Sequence, residues 1–494
     1  MIDLVCRELL EDKDIRSNLI AMRQQIKADE QERTEAARWE AENGRLLKYL
    51  GHEDAKVRKN AALLLGELGI SDALNELWNT YCKEQTLFVK SSYLIAMEYF
   101  DCSTHSEKLH EEYAHLRGMD IPEEQKKHVQ EELQVLERML RKLDGVRKHR
   151  FTGYDREVEV LLTTNPKYRE ATAAQIQLGR TALAAPGVKV KTAHIRELLS
   201  IRTYRELLFL LRASGRIAAE PDKIAEELCT SDLMEQLEEL HEGTPPFYFR
   251  LEIKGDIEEK KNGTFIRKVA AAIEEKSGRR LINSADDYEL EIRLISNSDH
   301  TLFPCMKLFT LPMQRFSYRK NAVAVSIHPV SAALLMQLAK PYLKELAQVL
   351  DPFCGVGTML IERDLLVPAG DMYGTDIFGE AIQKARENTA AAGMDIHYIN
   401  RNLFDFTHRY LFDEIVTNMP ARGARTKEEQ DRFYERFFEK VSELLKRDGI
   451  LIMYSNESGF VKKQLRLRSD FSLKKEYCIR EKTGYYLFVI AFKG

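Results

Sequence analysis

The sequence predicts a multidomain chain with three parts: an all-α unit over residues 1–145, a mixed α+β module over 146–310 and an α/β domain over 311–494. Apolar residues recur with the helical period through the first part, and nothing there alternates as a strand does. An alternating stretch, EVEVLLTTN, opens the second part at residue 157. In the third part a glycine-rich turn joins an apolar strand to a helix, which is typical of a doubly wound parallel sheet.

The composition is that of a soluble globular protein. Hydrophobic residues make up 44% and charged residues 31%, and the formal net charge of -4 argues against a protein that coats nucleic acid non-specifically. The chain contains no apolar run long enough to span a bilayer, so we expect a cytoplasmic protein without a membrane partner. Its seven cysteines are scattered and never in CxxC spacing, which predicts reduced thiols and no metal site.

The N-terminal unit contains a repeat-like segment. LLKYLGHEDAKVRKNAALLLGELG (46–69) resembles a HEAT-type repeat, with a short helix, a turn containing Asp and a Leu-rich helix ending at Gly69. A weaker copy follows over 74–100, and a long charged amphipathic helix over 122–143 is expected to lead to the next part. The unit is either a docking arm for a protein or RNA partner, or a packed helical cap without a ligand.

The middle part combines strands and helices in a recognisable order. A strand over 157–165 precedes a helix from about residue 166, and FYFRLEIKG (247–255), TFIRKVAAAIEEKSG (264–278) and DYELEIRLIS (287–296) form a second half. This order resembles the THUMP region of RNA-modifying enzymes. The resemblance implies a module that grips the folded acceptor end of an RNA. The candidate RNA contacts are Arg267, Lys268, Arg279 and Arg280.

The strongest local motif is QVLDPFCGVGTMLIERDLL (348–366). Gly355 and Gly357 lack the side chains that would hold a ligand away from the backbone, the amides at the start of the next helix can bind a carboxylate, and Thr358 is placed to cap that helix. About twenty residues later a second strand ends at Asp376, whose carboxylate can accept both hydroxyls of a ribose. Nucleotide-binding dehydrogenases share such a turn, but the two final strands over 472–494 have no helix between them, which favours a methyltransferase.

These motifs resemble the RNA guanine-N2 methyltransferases that join a THUMP region to a class I methyltransferase domain. HPVSAALLMQLA (328–339), DPFCGVGT (351–358) and RFSYR (315–319) carry the resemblance. It implies S-adenosyl-L-methionine as the cofactor and RNA as the partner, with substrate contacts from the Arg-x-x-Tyr-Arg segment. The implied cofactor residues are Asp351, Phe353, Gly355, Gly357 and Thr358 for the methionine part, Asp376 and Ile377 for ribose and adenine, Asn402 and Leu403 on the third strand, and Asn418. The implied substrate residues are Arg315, Tyr318, Arg319 and Arg422.

The Asn418-Met419-Pro420 motif suits methylation of an exocyclic amine. Conjugation with the ring makes such a nitrogen a poor nucleophile, so its lone pair must be turned toward the methyl donor. The side-chain oxygen of Asn418 and a nearby backbone carbonyl can accept the two N–H bonds and stabilise the developing positive charge, without a strong base. We therefore predict Asn418 and Pro420 as the catalytic motif.

The sequence departs from the family directly after this motif. Ala421 occupies the position where relatives carry an aromatic residue that stacks on the target base. Phe316, Tyr318 or Phe433 are candidates to replace it, and Arg422 can stack on or hydrogen-bond to a guanine. Cys354 lies in the cofactor motif rather than near the target base, so it is interpreted as a small packed residue and not a nucleophile.

The predicted function is an S-adenosylmethionine-dependent RNA methyltransferase that forms N2-methylguanosine in tRNA or rRNA. One alternative is an adenine-N6 methyltransferase acting on RNA or DNA, because both amines suit the same Asn-x-Pro geometry. The other is a HEAT-like scaffold whose C-terminal domain binds cofactor without catalysis.

Overall fold

The chain folds into two compact units, Met1–Arg147 and Lys148–Gly494, in a computed structural model that describes residues 2–70, 72–119, 121–144, 149–255 and 263–494. The middle part and the C-terminal part thus share one unit. The predicted boundaries of three domains stay a prediction. Within the described ranges, every helix is too short or too polar to cross a lipid bilayer.

The first unit contains helices and no strand in its described residues, as predicted. Helix α9 buries its apolar side, including Leu133, Leu136 and Met139, in the core of this unit against α7 and α8. The sequence RKLDGVRKHR (141–150) is rich in basic residues and is a candidate phosphate contact, and its residues 145–148 lie outside the described residues. The helices are α1 (Ile2–Leu10), α2 (Ile15–Ala28), α3 (Glu30–Asn43), α4 (Arg45–Tyr49), α5 (Ala55–Leu68), α6 (Ala73–Lys83), α7 (Leu87–Met97), α8 (Ser106–Gly118) and α9 (Glu123–Asp144).

The repeat-like segment forms the helices that its sequence predicts. The Asp54 carboxylate accepts a hydrogen bond from the Lys56 backbone N–H at 2.8 Å and so caps α5. Gly69 ends the helix in the left-handed region with φ of +70°. A Cβ on Gly66 would lie 2.6 Å from the backbone oxygen of Ala96, so glycine permits close packing of α5 on α7. The HEAT resemblance itself stays a prediction.

The middle module is built on an eight-stranded mixed sheet with the order β3-β4-β2-β5-β10-β9-β7-β8. Neighbouring strands run antiparallel, except that β7 is parallel to both β8 and β9. The strands β1 and β6 pair with each other in a separate two-stranded sheet. The strands of the module are β1 (Arg150–Phe151), β2 (Val158–Thr163), β3 (Arg180–Ala184), β4 (Gly187–Thr192), β5 (Glu206–Leu210), β6 (His241–Glu242), β7 (Phe247–Lys254), β8 (Leu281–Asn283), β9 (Leu290–Ser296) and β10 (Leu302–Leu308). Its helices are α10 (Arg169–Ala173), α11 (Ile195–Ser200), α12 (Pro221–Thr230), α13 (Leu233–Leu240) and α14 (Gly263–Lys276).

The helix predicted from about residue 166 is present but short, and it begins at Arg169. Only α10 is helical, and the residues that follow form the hairpin of β3 and β4. Pro186 lies in the turn of this hairpin, and proline is compatible with a turn but not with a helix interior. A Cβ on Gly187 would lie 1.9 Å from the backbone oxygen of Leu162, so the hairpin packs closely on strand β2.

The C-terminal domain contains a seven-stranded sheet with the order β13-β12-β11-β14-β15-β17-β16. The first five strands are parallel and the last two form the predicted antiparallel hairpin, which is the arrangement of a class I methyltransferase-like α/β fold. Its strands are β11 (Val349–Asp351), β12 (Met372–Asp376), β13 (His397–Asn400), β14 (Phe412–Asn418), β15 (Leu445–Ser455), β16 (Phe471–Arg480) and β17 (Tyr485–Phe492). Its helices are α15 (Pro329–Ala339), α16 (Thr358–Leu366), α17 (Gly379–Ala391), α18 (Lys427–Leu444) and α19 (Ser458–Leu467).

The middle module contacts the end of strand β16 in this domain. The side-chain amide of Asn165 donates to the backbone oxygen of Ile479 at 2.9 Å, and the Tyr168 hydroxyl donates to the backbone oxygen of Cys478 at 3.2 Å. Lys167 adds an ion pair with Glu481 at 2.7 Å, which is exposed and contributes little. The two partly buried hydrogen bonds from Asn165 and Tyr168 hold this end of the module on the methyltransferase-like sheet.

Candidate active site

The predicted site residues meet at one edge of the C-terminal sheet. Strand β11 ends at Asp351, β12 at Asp376 and β14 at Asn418, and the three strands are parallel neighbours. The carboxyl ends of parallel strands lie at the same edge, and that edge is where α/β sheets bind ligands. The strand order changes direction between β11 and β14, and open α/β sheets bind ligands at such a switch point.

The two glycines of the turn have different roles. Gly355 has φ of +51°, and a Cβ built on it would have no atom within 4 Å, so the space beside it is open for a ligand. Gly357 has φ of +81°, but a Cβ there would lie 2.2 Å from the hydroxyl of Tyr398. The absence of a side chain at Gly357 is therefore explained by packing inside the domain, because Tyr398 fills the space.

Asp351 has an unsatisfied carboxyl oxygen at the base of the turn. It is only 1% exposed, and its Oδ1 accepts a hydrogen bond from the backbone N–H of Phe353 at 3.0 Å. Its Oδ2 has no hydrogen-bond partner of normal geometry among the described residues. Burial raises the pKa of this carboxyl to about 7, although the Phe353 N–H and the nearby Thr417 hydroxyl lower it. A buried oxygen without a donor of normal geometry fits the ammonium group of the methionine part of S-adenosyl-L-methionine.

Thr358 does not cap helix α16, contrary to the prediction. The helix begins at Thr358 itself, and Gly357, which has no side chain, occupies the capping position. The Thr358 hydroxyl is buried and lacks a hydrogen-bond partner in the described part of the chain. The start of α16 thus has a second unsatisfied polar atom, one residue after Gly357.

Both carboxylate oxygens of Asp376 accept hydrogen bonds from backbone N–H groups. Its Oδ2 accepts from the Gly355 N–H at 3.0 Å and its Oδ1 from the Phe378 N–H at 2.9 Å. Each oxygen retains a lone pair that can accept a ribose hydroxyl. Ile377, the next residue, is 60% exposed, so an apolar side chain lies open where the resemblance predicts the adenine.

Asn402 and Leu403 follow strand β13, and their side chains differ in exposure to solvent. The Asn402 side-chain oxygen accepts from the Phe404 N–H at 3.1 Å and begins a 3-10 turn over Leu403–Asp405. Leu403 is 1% exposed and packs in the aromatic core of the domain. The Leu403 side chain is therefore inside the fold, whereas the Asn402 amide is exposed.

Asn418 presents an amide without a protein partner in the described part of the chain. The Met419 backbone N–H donates to the backbone oxygen of Tyr454 at 2.9 Å, which extends the pairing of β14 with β15 beyond the strand. Met419 is buried, while Asn418 and Pro420 are partly exposed. The backbone of the motif is thus held by the sheet, and the side-chain amide of Asn418 remains available for a ligand.

Of the three aromatic candidates, Phe433 lies beside the cofactor turn. Its ring centroid is 5.9 Å from that of Phe353, and the Arg425 guanidinium lies 4.4 Å above its ring. Tyr318 is buried, and Phe316 lies 4.6 Å beneath the guanidinium of Arg202. Replacement of the aromatic residue missing at Ala421 by any of them stays a prediction.

Three predicted substrate residues make contacts within the protein. Arg315 donates to two backbone oxygens of the middle module at 2.8 and 2.9 Å, and Tyr318 donates to the Glu362 carboxylate at 2.7 Å. Arg319 donates to the backbone oxygen of Ile327 at 2.6 Å. Arg422, by contrast, is exposed. Substrate binding by all four stays a prediction, while the contacts of Arg315 join the domain to the middle module.

Cys354 packs against residues that sequence reasoning missed. A Cβ on Gly374 would lie 2.8 Å from the ring of Tyr398 and 2.9 Å from the Cys354 sulfur. Burial raises the pKa of the Cys354 thiol well above its usual value, which disfavours a reactive thiolate. These contacts agree with the interpretation of Cys354 as a packed residue.

A family match covers this domain. Residues 317–484 match the family model described as UPF0020, the RMKL-like methyltransferase domain. Together with the strand order, the match confirms the predicted methyltransferase domain and its cofactor, S-adenosyl-L-methionine.

Individual relatives agree with the fold at low identity. A tRNA (guanine(10)-N2)-dimethyltransferase from Methanothermobacter thermautotrophicus is 26% identical over 136 residues, which are 27% of this chain and 39% of that protein. The structure of TrmN from Thermus thermophilus matches 68% of this chain and all of its own with a TM-score of 0.51 and 20% identity. SMU.472, a putative methyltransferase complexed with SAH, matches 68% of this chain and 98% of its own with a TM-score of 0.54 and 16% identity.

Proposed function

We propose that this chain, whose residues 317–484 form an RMKL-like methyltransferase domain, methylates an exocyclic amine of a base in structured RNA and forms N2-methylguanosine in tRNA. The observation that carries the proposal is the Asn418 amide. It lies at the end of β14, next to the strand that leads into the cofactor turn, and hydrogen-bonds to none of the described residues. An amide in that position can hold the acceptor nitrogen beside the methyl donor.

The chemistry requires positioning more than acid or base strength. The Asn418 side-chain oxygen and a backbone carbonyl of the motif accept the two N–H bonds of the amine, which turns the nitrogen lone pair toward the sulfonium methyl group. S-adenosyl-L-methionine supplies that electrophilic methyl group when bound. The new N–C bond forms as the S–C bond breaks, and the proton leaves the positively charged amine for water afterwards. The same two acceptors stabilise the positive charge on the nitrogen.

Two features support guanine and tRNA over other acceptors. The relative from Methanothermobacter thermautotrophicus is named for guanine-N2 methylation of tRNA, although the match spans only 39% of its length. In the THUMP-like middle module, Arg267 and Lys268 are exposed on α14 and suit phosphate contacts. Arg279 and Arg280 are instead ion-paired with Glu274 and Glu238. We keep the N-terminal helical unit as a proposed docking unit for a protein partner.

Methyl transfer to fractionated RNA tests the proposal. Purified protein is incubated with tritium-labelled cofactor and separate tRNA and rRNA fractions, and the labelled nucleoside is identified after digestion. We expect N2-methylguanosine in tRNA. Labelled N6-methyladenosine would replace the proposal with the adenine alternative. Tight cofactor binding without transfer to any fraction would favour the scaffold alternative.

A further inference from the structure

The segment after the Asn418 motif holds one arginine in a fixed position. The Arg425 guanidinium lies 4.4 Å above the ring of Phe433. Its Nη1 donates to the Gln430 side-chain oxygen at 2.7 Å, and its Nη2 donates to the backbone oxygen of Ala421 at 3.2 Å. These contacts use two of the five N–H donors of the guanidinium, so three remain for a ligand.

This guanidinium lies close to the expected position of the target base. Ala421 follows Asn418 by three residues, so the Cα atoms of the two are separated by at most about 11 Å of chain. Phe433 connects the arginine to the cofactor turn, because its ring centroid is 5.9 Å from that of Phe353. The Asn418 amide and the Arg425 donors therefore belong to one site.

A second observation points to an acceptor atom at the same place. Gln430 has no exposed surface, and its side-chain Nε2 has no hydrogen-bond partner among the described residues. Its Oε1 is occupied by Arg425. A buried amide donor without an acceptor, next to an arginine with unused donors, forms a set of donors that lacks its ligand.

We infer that Arg425 selects guanine by donating hydrogen bonds to the O6 and N7 edge of the base whose amine Asn418 holds; this inference rests on the proposed function. Guanine presents two acceptors, O6 and N7, to a guanidinium, and bidentate contact by arginine is the common means of its recognition. Adenine presents an amino group in place of O6, so its N–H bonds would face the N–H bonds of Arg425. The arrangement thus admits guanine and excludes adenine.

A substrate analogue that lacks the O6 atom of guanine tests this inference. Once the acceptor nucleotide is known, the RNA is synthesised with guanosine or with 2-aminopurine riboside at that position. 2-Aminopurine keeps the N2 amine and N7 but has no O6. We expect the unsubstituted protein to methylate guanosine at least about tenfold faster in single-turnover assays, since a hydrogen bond to a charged group contributes a factor of this size.

The variant Arg425→Ala should lose this preference. The rate with guanosine should fall at least about tenfold, while the rate with 2-aminopurine, which offers only the N7 acceptor, should fall less. Arg425→Lys keeps the charge but not the planar fork and should retain only part of the preference. Arg432→Ala, at an exposed position on helix α18, is the matched control and should leave both rates unchanged.

Several results would overturn the inference. Equal losses with both substrates in Arg425→Ala would indicate a structural role alone. Loss of the preference in Arg422→Ala, with Arg425→Ala unaffected, would assign recognition to the other arginine. An adenine acceptor would contradict the donor arrangement. Absence of transfer by the unsubstituted protein would overturn the proposed function itself, whereas transfer with an unaltered preference in Arg425→Ala would overturn this inference alone.

Discussion

The carboxylate of Glu362 forms a two-point ion pair with the guanidinium of Arg202, with N–O distances of 2.8 and 2.7 Å. Glu362 belongs to helix α16, one turn after the cofactor loop, and Arg202 belongs to the middle module. The Glu362 side chain is 1% exposed and that of Arg202 is 22% exposed. The Tyr318 hydroxyl donates to the same carboxylate at 2.7 Å. The helix that starts at the cofactor site is therefore fastened directly to the middle module.

Arg202→Ala should destabilise the unit that contains residues 148–494. It leaves the buried Glu362 carboxylate with a single hydrogen bond from Tyr318. We expect the free energy of unfolding to fall by about 2–3 kcal/mol, less than the roughly 3–5 kcal/mol for a fully buried pair because Arg202 is partly solvated. Urea denaturation followed by fluorescence measures this. Arg205→Ala, an exposed neighbour, is the control, and an equal midpoint for both variants would contradict the expectation.

Alanine at the two loop glycines should have different effects, on folding at Gly357 and mainly on ligand binding at Gly355. Gly357→Ala places a Cβ 2.2 Å from the Tyr398 hydroxyl in a left-handed backbone, so we expect a loss of about 3 kcal/mol or more in thermal or urea unfolding. Adding Tyr398→Phe should recover part of this loss, because the hydroxyl is then absent. No recovery in the double variant would argue against this contact as the cause.

Gly355→Ala should affect ligand binding more than folding. Its Cβ meets no atom within 4 Å, so only the backbone preference of about 1–2 kcal/mol is lost. The added methyl group occupies the open space beside the turn, and we expect S-adenosylhomocysteine to bind at least about tenfold more weakly by calorimetry. Unchanged affinity in a folded Gly355→Ala protein would contradict the position of the cofactor.

Asp351 should make stability depend on pH. Burial raises its pKa to about 7, whereas an unfolded Asp has a pKa of about 3.9. Between these values the folded protein holds a proton that the unfolded chain releases, so this contribution is present below about pH 4 and is lost as the pH rises through about 7. The change is on the order of 4 kcal/mol. Denaturation midpoints at several pH values measure it, and Asp351→Asn should flatten the profile in this window.

The same carboxyl should couple cofactor binding to a proton. A cationic ammonium group favours the charged carboxylate, so the affinity for S-adenosylhomocysteine should rise with pH until about 7 and then level off. Calorimetry in two buffers of different ionisation enthalpy detects the released proton. Asp351→Asn should bind more weakly without this pH dependence. A proton release that persists in Asp351→Asn would assign the coupling to another group.

Asn418→Ala should separate catalysis from cofactor binding. Loss of the acceptor oxygen should lower the single-turnover rate on RNA by about 10²–10³, as for other groups that stabilise charge in a transition state. The affinity for S-adenosylhomocysteine should change less than about threefold. Asn418→Asp keeps acceptor oxygens and should retain more activity than the alanine variant. Equal rates for Asn418→Ala and the unsubstituted protein would favour a non-catalytic domain.

Local patterns predicted the C-terminal elements well, because each depends on a few adjacent residues. The glycine-rich turn, the strand ending at Asp376 and the final hairpin all lie where the sequence indicates. The helix expected from about residue 166 spans only Arg169–Ala173, because the residues that follow pair as β3 with β4. The predicted cap by Thr358 was wrong, since the helix starts at Thr358 itself, one residue earlier than a Thr358 cap requires.

Contacts between residues far apart in the chain could not be predicted from the sequence. Arg202 and Glu362 are 160 positions apart, and neither belongs to a motif that indicates a partner. Tyr398, on strand β13, fills the space beside Gly357. The sequence around Gly357 does not indicate this contact, so the glycine was interpreted as a position that contacts a ligand. Arg315 matched a family motif, yet its donors are taken by backbone oxygens of the middle module. Such roles depend on packing, and packing across a sheet leaves no periodic signal.

The middle module is attached to two elements of the methyltransferase domain, through Asn165 and Tyr168 to strand β16 and through Arg202 to helix α16. Hydrogen bonds to two elements restrict rotation of the module on the domain. Under the proposed function, an RNA held by the module would be presented to the Asn418 edge at a set distance. The enzyme would then select its nucleotide by the distance between the base and the end of the RNA that the module binds. RNAs of different sequence in which this distance is equal would be modified alike.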